Sequence, residues 1–325
     1  MRLPPEFGEA IEQEIETVDR AKLVKAAEEL SAAYKTAQYA SPVIKTPEHR
    51  AAYLAVRFPA TFAANRRVFS EVQRLAPEAA ISSILDIGAG PGTAFYAAVQ
   101  IFPSLSQATL IEADGALIEL GKRLSANSAR AAMRNARWVL KDIRKGLSDE
   151  AHDVVVISYT LGELSPAEAE RVVLDAWRRT KRFLVIIEPG TMRGFDFVLK
   201  ARASLIGSGA LVLAPCPHAN ECPMAALDDW CHFAARVQRT SLHRQMKHGA
   251  LGHEDEKFSY IMFSRVSTTR PAARIIRHPQ KHRGHAQLTL CTPDGLQRKT
   301  ITRSQKDAYK LARHADWGDP WSVPG

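Results

Sequence analysis

Four cysteines, Cys216, Cys222, Cys231 and Cys291, are the only thiols in this 325-residue chain. Three fall in one short stretch, Pro215-Cys216-Pro217-His218-Ala219-Asn220-Glu221-Cys222-Pro223, followed by Asp229-Trp230-Cys231-His232. Four thiolates are the number that one tetrahedral zinc ion or one [4Fe–4S] cluster requires. The intervals of 5, 8 and 59 residues contain no paired C-x2-C knuckle of the zinc-finger kind. Proline follows Cys216 and Cys222, as it follows cysteine ligands in iron–sulfur sequences. The spacing therefore favours a [4Fe–4S] cluster, with zinc as the alternative and His218 and His232 as spare ligands. A set of four buried structural cysteines is the competing reading. Nothing in the pattern makes any of them a nucleophile, so the centre reads as structural or sensing.

The second candidate site lies upstream. Asp86-Ile87-Gly88-Ala89-Gly90-Pro91-Gly92 has the form D-x-G-x-G-x-G between an apolar strand and a helix. Glycines there let the backbone approach a ligand closely and take up positive φ. Glu112 ends the next strand, 24 residues beyond Gly88, where a carboxylate accepts hydrogen bonds from both ribose hydroxyls. A dinucleotide loop would need glycine or alanine where Thr93 stands. The loop instead resembles motif I of class I S-adenosylmethionine (SAM) methyltransferases, in which the carboxylate at the strand end sits near the methionine part. That resemblance implies that Asp86, Gly88, Gly90, Gly92, Glu112 and Asp142 bind the cofactor, with Asp142 at the position that contacts the adenine amino group.

A methyl-transfer centre is less legible. Amino-group methyltransferases carry Asn/Asp-Pro-Pro-aromatic after the fourth strand. This chain has Ser158-Tyr159-Thr160-Leu161-Gly162-Glu163-Leu164. No cysteine nucleophile stands near the fourth or fifth strand. Glu163 and Tyr159 are available as base or binder, Glu188-Pro189-Gly190-Thr191 would shape the pocket rim, and the catalytic residues stay unassigned.

These sites need a frame. Residues 1–80 read as a helical N-terminal region, with helices over Ala21–Tyr39 and His49–Leu75, the latter interrupted at Pro59. Asn65-Arg66-Arg67 on the second is a candidate ligand- or RNA-facing patch. Residues 81–205 read as a SAM-binding, methyltransferase-like domain. Its expected strands are Ser83–Ile87, Ala108–Glu112, Ala136–Leu140, Asp153–Ser158 and Arg182–Glu188. Its expected helices run from Thr93 to Phe102, Ala116 to Arg130, Pro166 to Arg179 and Asp196 to Leu205. Continuous apolar strands between amphipathic helices imply a parallel sheet covered on both faces. Residues 206–325 read as a four-cysteine segment and a basic extension. Antiparallel strands are expected there over Ser259–Val266, Arg274–Arg277 and Gln287–Cys291, and a last helix over Thr302–Ala312. The fold class is thus α/β, a class I SAM-dependent, Rossmann-like methyltransferase domain with a helical N-terminal region and a Cys-ligated, metal-binding C-terminal extension.

The net charge of +9 is segregated. From Cys231 to Gly325 there are 17 Lys/Arg against 7 Asp/Glu, while the rest of the chain holds 27 against 28. Such a basic region suits a phosphate backbone and argues against a small neutral substrate. Four cysteines in so long a chain imply a reducing compartment. The first residues show neither signal core nor transit character, and no apolar run is long enough to span a bilayer. The expectation is a cytoplasmic protein with no membrane partner.

Taken in order, the glycine motif, Glu188-Pro189-Gly190-Thr191, Ala214-Pro215-Cys216-Pro217-His218, Asp229-Trp230-Cys231-His232-Phe233 and Glu256-Lys257-Phe258-Ser259-Tyr260 resemble the methyltransferase-like proteins of the small ribosomal subunit. The resemblance covers roughly Arg57 to Cys291. It implies a small-subunit ribosome assembly role, binding to small-subunit ribosomal RNA, a SAM-type pocket, and a [4Fe–4S] cluster on Cys216, Cys222, Cys231 and Cys291. Without a presequence the chain reads as a bacterial-type relative. The expected function is a SAM-binding, methyltransferase-like protein acting on small-subunit ribosomal RNA in ribosome assembly or translation. The alternatives are a non-catalytic assembly factor that uses SAM and the cluster structurally, which the missing Pro-Pro favours, and a small-molecule methyltransferase.

Overall fold

The computed structural model describes residues 3–36, 44–238 and 252–322. Helices α1 (Pro5–Glu16), α2 (Arg20–Thr36), α3 (Pro47–Ala52) and α4 (Phe58–Leu75) form the N-terminal region. The last residues of the expected Ala21–Tyr39 helix lie outside the described residues. Pro59 does not break the second helix. It falls in the first turn of α4, where a missing N–H costs nothing. A π-helical turn over Tyr53–Arg57 joins α3 to α4, and such turns concentrate at functional sites. Phe58, Phe62, Val68, Phe69 and Val72 on α4 are buried in the main core.

The central unit follows as β1 (Ser83–Ile87), α5 (Thr93–Ile101), β2 (Gln107–Glu112), α6 (Gly115–Ser125), α7 (Ala131–Arg134), β3 (Arg137–Leu140), β4 (His152–Ser158), α8 (Pro166–Arg178), β5 (Thr180–Pro189), α9 (Met192–Gly207), β6 (Leu211–Ala214), β7 (Phe233–Gln238) and β8 (His253–Ser264). The sheet order is β3-β2-β1-β4-β5-β8-β6, with β7 also paired to β8. β1 to β5 are parallel and β8 runs antiparallel beside β5. Alternate residues serve the two faces. Ile84, Val154, Val156 and Val185 pack toward the N-terminal helices, while Leu85, Val155, Leu184 and Ile186 pack toward α8 and α9.

Register decides where chemistry can occur. Ile87 pairs with both Ile111 and Ile157, so β1, β2 and β4 end level. Their carboxyl ends open where the strand order reverses, the usual place for a ligand in an open α/β sheet.

The sheet runs past residue 205. β6 and β8, within the segment read as an extension, complete it, and the expected Ser259–Val266 strand is the end of the 12-residue β8. β6 and β7 were missed because they are runs of four and six residues without a distinguishing period. The expected Ala116–Arg130 helix stops at Ser125 and restarts as the four-residue α7.

A second, antiparallel sheet holds β9 (Ala273–Ile275), β10 (Gln280–His282), β11 (His285–Thr292), β12 (Gly295–Thr302) and β13 (Pro320–Trp321), backed by α10 (Lys306–His314). Its core is small and separate, built on Ile275, Leu288, Leu290, Ile301, Ala312 and Trp321. It is tied to α4 by Arg274 Nη1 on Glu71 Oε1 at 2.7 Å and by Arg67, which donates to the carbonyl of Trp317. Among the described residues no helix is long and apolar enough to cross a membrane.

Candidate functional site

A cavity of about 610 Å³ opens at the carboxyl ends of β1, β2 and β4, within the range of small-molecule and cofactor pockets. Asp86, Gly88, Gly90, Glu112 and Asp142 all line it. Gly92 does not. With φ +91 it caps α5 and lies against Tyr96 and Trp138. Gly88 has φ +70, and a Cβ there would meet Thr160 Cγ2 at 2.4 Å. Gly90 differs. Its φ is +55, yet a Cβ would meet nothing within 4 Å. The loop is therefore bare on its cavity side, leaving room for a ligand at the backbone.

Glu112 closes on this loop. Its Oε2 accepts from Gly90 N at 2.8 Å, and its Oε1 accepts from Ala113 N and Asp114 N. Burial nevertheless pushes its carboxyl up. Asp142 is held by Arg144, whose guanidinium lowers its pKa. Asp86 is fully buried, accepts from Phe95 N at 3.1 Å, and is pushed up to about 7 by burial.

The far wall comes from the π turn and α4, where only the Asn65-Arg66-Arg67 patch is a candidate from sequence. Tyr53, Arg57, Thr61 and Asn65 reach the cavity from the π turn and α4. Tyr53 Oη lies 3.4 Å from Thr93 Oγ1, and Asn65 Nδ2 donates to Ser158 Oγ at 2.9 Å. In the Asn65-Arg66-Arg67 patch, then, Asn65 faces the cavity, Arg66 is exposed, and Arg67 anchors other backbone. Arg57 grips Glu256 of β8 with both Nη atoms at 3.2 Å. Tyr159 Oη donates to the same carboxylate at 3.1 Å. Tyr159 has φ +58, a strained conformation for a side chain of its size.

Two more carboxyls belong to this pocket. Glu188, at the end of β5, accepts from Thr160 N and Leu161 N and is pushed up to about 8 by burial. Glu163, exposed at the pocket rim, is pushed up, first by desolvation against the pocket wall and then by the Glu112 charge. Glu188 is largely protonated at neutral pH. Glu163 is suited to hold or take a proton, whereas Glu188 is committed to the backbone of the β4 loop.

The four cysteines come from both sheets. Cys216, Cys222 and Cys231 lie on the connection from β6 to β7, and Cys291 lies on β11. All four line one small apolar cavity with Phe195, Met224 and Ile276. Among the described residues no three His, Cys, Asp or Glu side chains are arranged as a ready metal-ligand group. The convergence is of a cavity wall. Burial and the neighbouring thiols raise Cys231 far above its ordinary value, push Cys291 up to about 12 and raise Cys222. Four thiolates there would need a cation to form. His218 Nε2 is 3.6 Å from Cys291 Sγ, and His232 stacks on Trp230.

The same wall holds two buried arginines, Arg202 and Arg274, each with one buried nitrogen that has no partner among the described residues. The residues present suit an anionic, thiolate-bound group. Helix α9 separates this cavity from the larger one. Phe197 and Arg193 face the latter, and Phe195, Leu199 and Arg202 the former. Trp230 Nε1 also donates to Gly190 O beside the larger pocket at 2.8 Å.

Five parallel strands with an antiparallel strand inserted beside the fifth, and a glycine loop and acidic strand end at the switch point, define a class I methyltransferase fold. Within that class the chain belongs to the Rsm22 family, whose model, "Mitochondrial small ribosomal subunit Rsm22", matches residues 47–322. The human ribosome assembly protein METTL17, mitochondrial, is 30% identical over 286 residues, covering 82% of this chain and 61% of the relative. The mitochondrial ribosome assembly protein RSM22 of Saccharomyces cerevisiae is 24% identical over 178 residues, covering 34% of this chain and 28% of that protein. A putative RNA methyltransferase structure from Pyrococcus horikoshii aligns over 70% of this chain and 90% of its own, at 13% identity and a TM-score of 0.41. That likeness is too loose to carry weight beside the strand order itself.

The expectation of a cytoplasmic protein is corrected by these matches, since the family and both relatives are mitochondrial and the mitochondrion is the compartment they indicate. The chain spans only 61% of the human relative. Its N-terminal residues, on which the cytoplasmic and bacterial-type expectations rested, therefore carry no weight.

Proposed function

We propose that this chain binds SAM in the cavity at the ends of β1, β2 and β4 and acts on the small ribosomal subunit during its assembly, through ribosomal RNA. The observation that carries the SAM assignment is the joint placement of Gly88, Gly90, Glu112 and Asp142 on one cavity wall, with Gly90 bare on the cavity side. In this reading Glu112 takes the ribose hydroxyls, Asp142 the adenine amino group, and Asp86 lies toward the methionine part. SAM supplies an activated methyl group when bound. The family assignment supports the small subunit as partner. The basic second module supports RNA as its chemistry, with Lys281, Arg283, Arg298, Lys299, Arg303 and Lys306 all exposed.

The second site is proposed to hold a [4Fe–4S] cluster on Cys216, Cys222, Cys231 and Cys291, with zinc as the alternative. Support comes from four thiols, Cys291 buried and the others half-buried, that line one cavity, and from two guanidiniums with unused N–H groups that line the same cavity. Such a centre would join the two sheets and fix the basic module against the methyltransferase-like unit.

Whether methyl transfer follows is a separate matter. The β4 loop offers no paired carbonyl acceptors after Pro-Pro, and Glu188 is occupied by backbone N–H groups. Both favour a non-catalytic assembly factor. Calorimetric titration with SAM tests the pocket: micromolar binding in the wild type and its loss in Glu112→Ala is the expected result. Labelled SAM offered with small-subunit RNA separates the two versions, because label above the Glu112→Ala background requires an enzyme.

A further inference from the structure

We infer that Arg202 and Arg274 donate N–H hydrogen bonds to the sulfurs of the four-cysteine centre and raise its reduction potential. This rests on the cluster reading above.

Each arginine is anchored to the cysteine loop itself. Arg202 Nη2 donates to His218 O at 3.1 Å and Asn220 O at 2.6 Å, both between Cys216 and Cys222. Arg274 Nε donates to Pro215 O at 2.9 Å, next to Cys216, and its Nη1 to Glu71 Oε1 and Gly318 O. Each then keeps one buried nitrogen with no partner among the described residues, Arg202 Nε and Arg274 Nη2. Both side chains line the cavity that all four cysteines line. The two orphaned donors therefore belong to residues of the same wall as the four sulfurs.

The charges are as unusual as the donors. Arg274 is 1% exposed and has Glu71 as counter-ion. Arg202 is 6% exposed, and its hydrogen bonds go to carbonyls. A buried cation without a counter-anion is costly, and a buried N–H without an acceptor adds to the cost. An anionic occupant of the cavity removes both. A cluster on four thiolates is anionic in both oxidation states and more so when reduced. N–H donors and cations in its wall favour the reduced form, and hydrogen bonds to the sulfurs and net charge are the levers that set such potentials. The arginines are positioning and tuning residues, since the ligands are the cysteines.

The test uses the full chain prepared anaerobically, with a redox titration followed by electron paramagnetic resonance. Arg202→Gln is expected to keep its iron and lower the midpoint by at least about 59 mV, a tenfold shift of a one-electron equilibrium. Arg274→Gln is made alone, because Glu71 keeps its bidentate pair with Arg74, and the same fall is expected. Resonance Raman spectra of the wild type in H₂O and D₂O provide a readout that needs no variant. Iron–sulfur stretching bands that shift on exchange report N–H···S bonds. Iron-loaded wild type with D₂O-insensitive bands and unmoved variant potentials overturns this inference and leaves the cluster standing. If the variants fail to fold, wild-type bands insensitive to D₂O still overturn the inference. Wild type that holds zinc and no iron overturns the cluster reading and this inference with it.

Discussion

The backbone N–H of Gly90 donates to Glu112 Oε2 at 2.8 Å, so the glycine loop and the strand-end carboxylate behave as one unit. Removing the carboxylate takes away the brace of the loop and, in the proposed reading, the acceptor for the ribose hydroxyls. Glu112→Ala is expected to weaken SAM binding at least about tenfold, the scale of a lost hydrogen bond to a charged group. Gly90→Ala is expected to cost about 1–2 kcal/mol of stability through its positive φ, and to lose SAM affinity as well because its methyl enters the cavity. Titration calorimetry and denaturant melts measure the two effects separately.

Gly194 sits at the start of α9, pressed against the end of β5. A Cβ there would lie 2.0 Å from Pro189 O. Gly194→Ala must push the start of α9 away from the end of β5, at a cost of about 1–3 kcal/mol typical of overpacking. Since α9 lines both cavities, SAM affinity and metal retention are expected to fall together. A variant that loses only one of them contradicts the role given to the helix.

Glu188 predicts a pH dependence. Its folded pKa is raised from 4.5 to about 8 by burial. Between those values the folded state holds a proton that the unfolded state has released, so this group's contribution to stability falls as pH rises. Glu188→Gln keeps an acceptor for Thr160 N and Leu161 N without the charge. The melting temperature of the variant should therefore decline less than that of the wild type between pH 6 and about pH 9. Parallel curves would show that Glu188 is not buried as a neutral acid.

Much of this was legible because local chemistry forces it. A D-x-G-x-G-x-G turn between an apolar strand and a helix admits few conformations, and Gly88, Gly90 and Glu112 stand where that logic puts them. The cavity's far wall was legible only at Asn65, in the patch read as ligand- or RNA-facing. Tyr53 and Arg57 reach it only because a π turn and α4 pack across the sheet, and neither has a period that marks a site. Arg202 and Arg274 were equally silent. One looks like any helical arginine and the other like part of a basic tail, until packing brings them to one wall. The long β8 was half seen, since its charged first residues, His253 to Lys257, hide the strand that completes the sheet.

The basic module predicts salt dependence. The logarithm of RNA affinity should fall linearly with log salt. Replacing Lys281 and Arg298 with Ala should reduce the slope by up to about 1.4–1.8, roughly 0.7–0.9 for each phosphate no longer neutralised. An unchanged slope would place the RNA-binding surface elsewhere.

The central claim is tested most directly by sedimenting the chain with purified mitochondrial small and large ribosomal subunits, with and without SAM. The account predicts saturable co-sedimentation with the small subunit alone. It also predicts that binding weakens when Lys281 and Arg298 are replaced. Equal association with both subunits, or none with the small one, would contradict it.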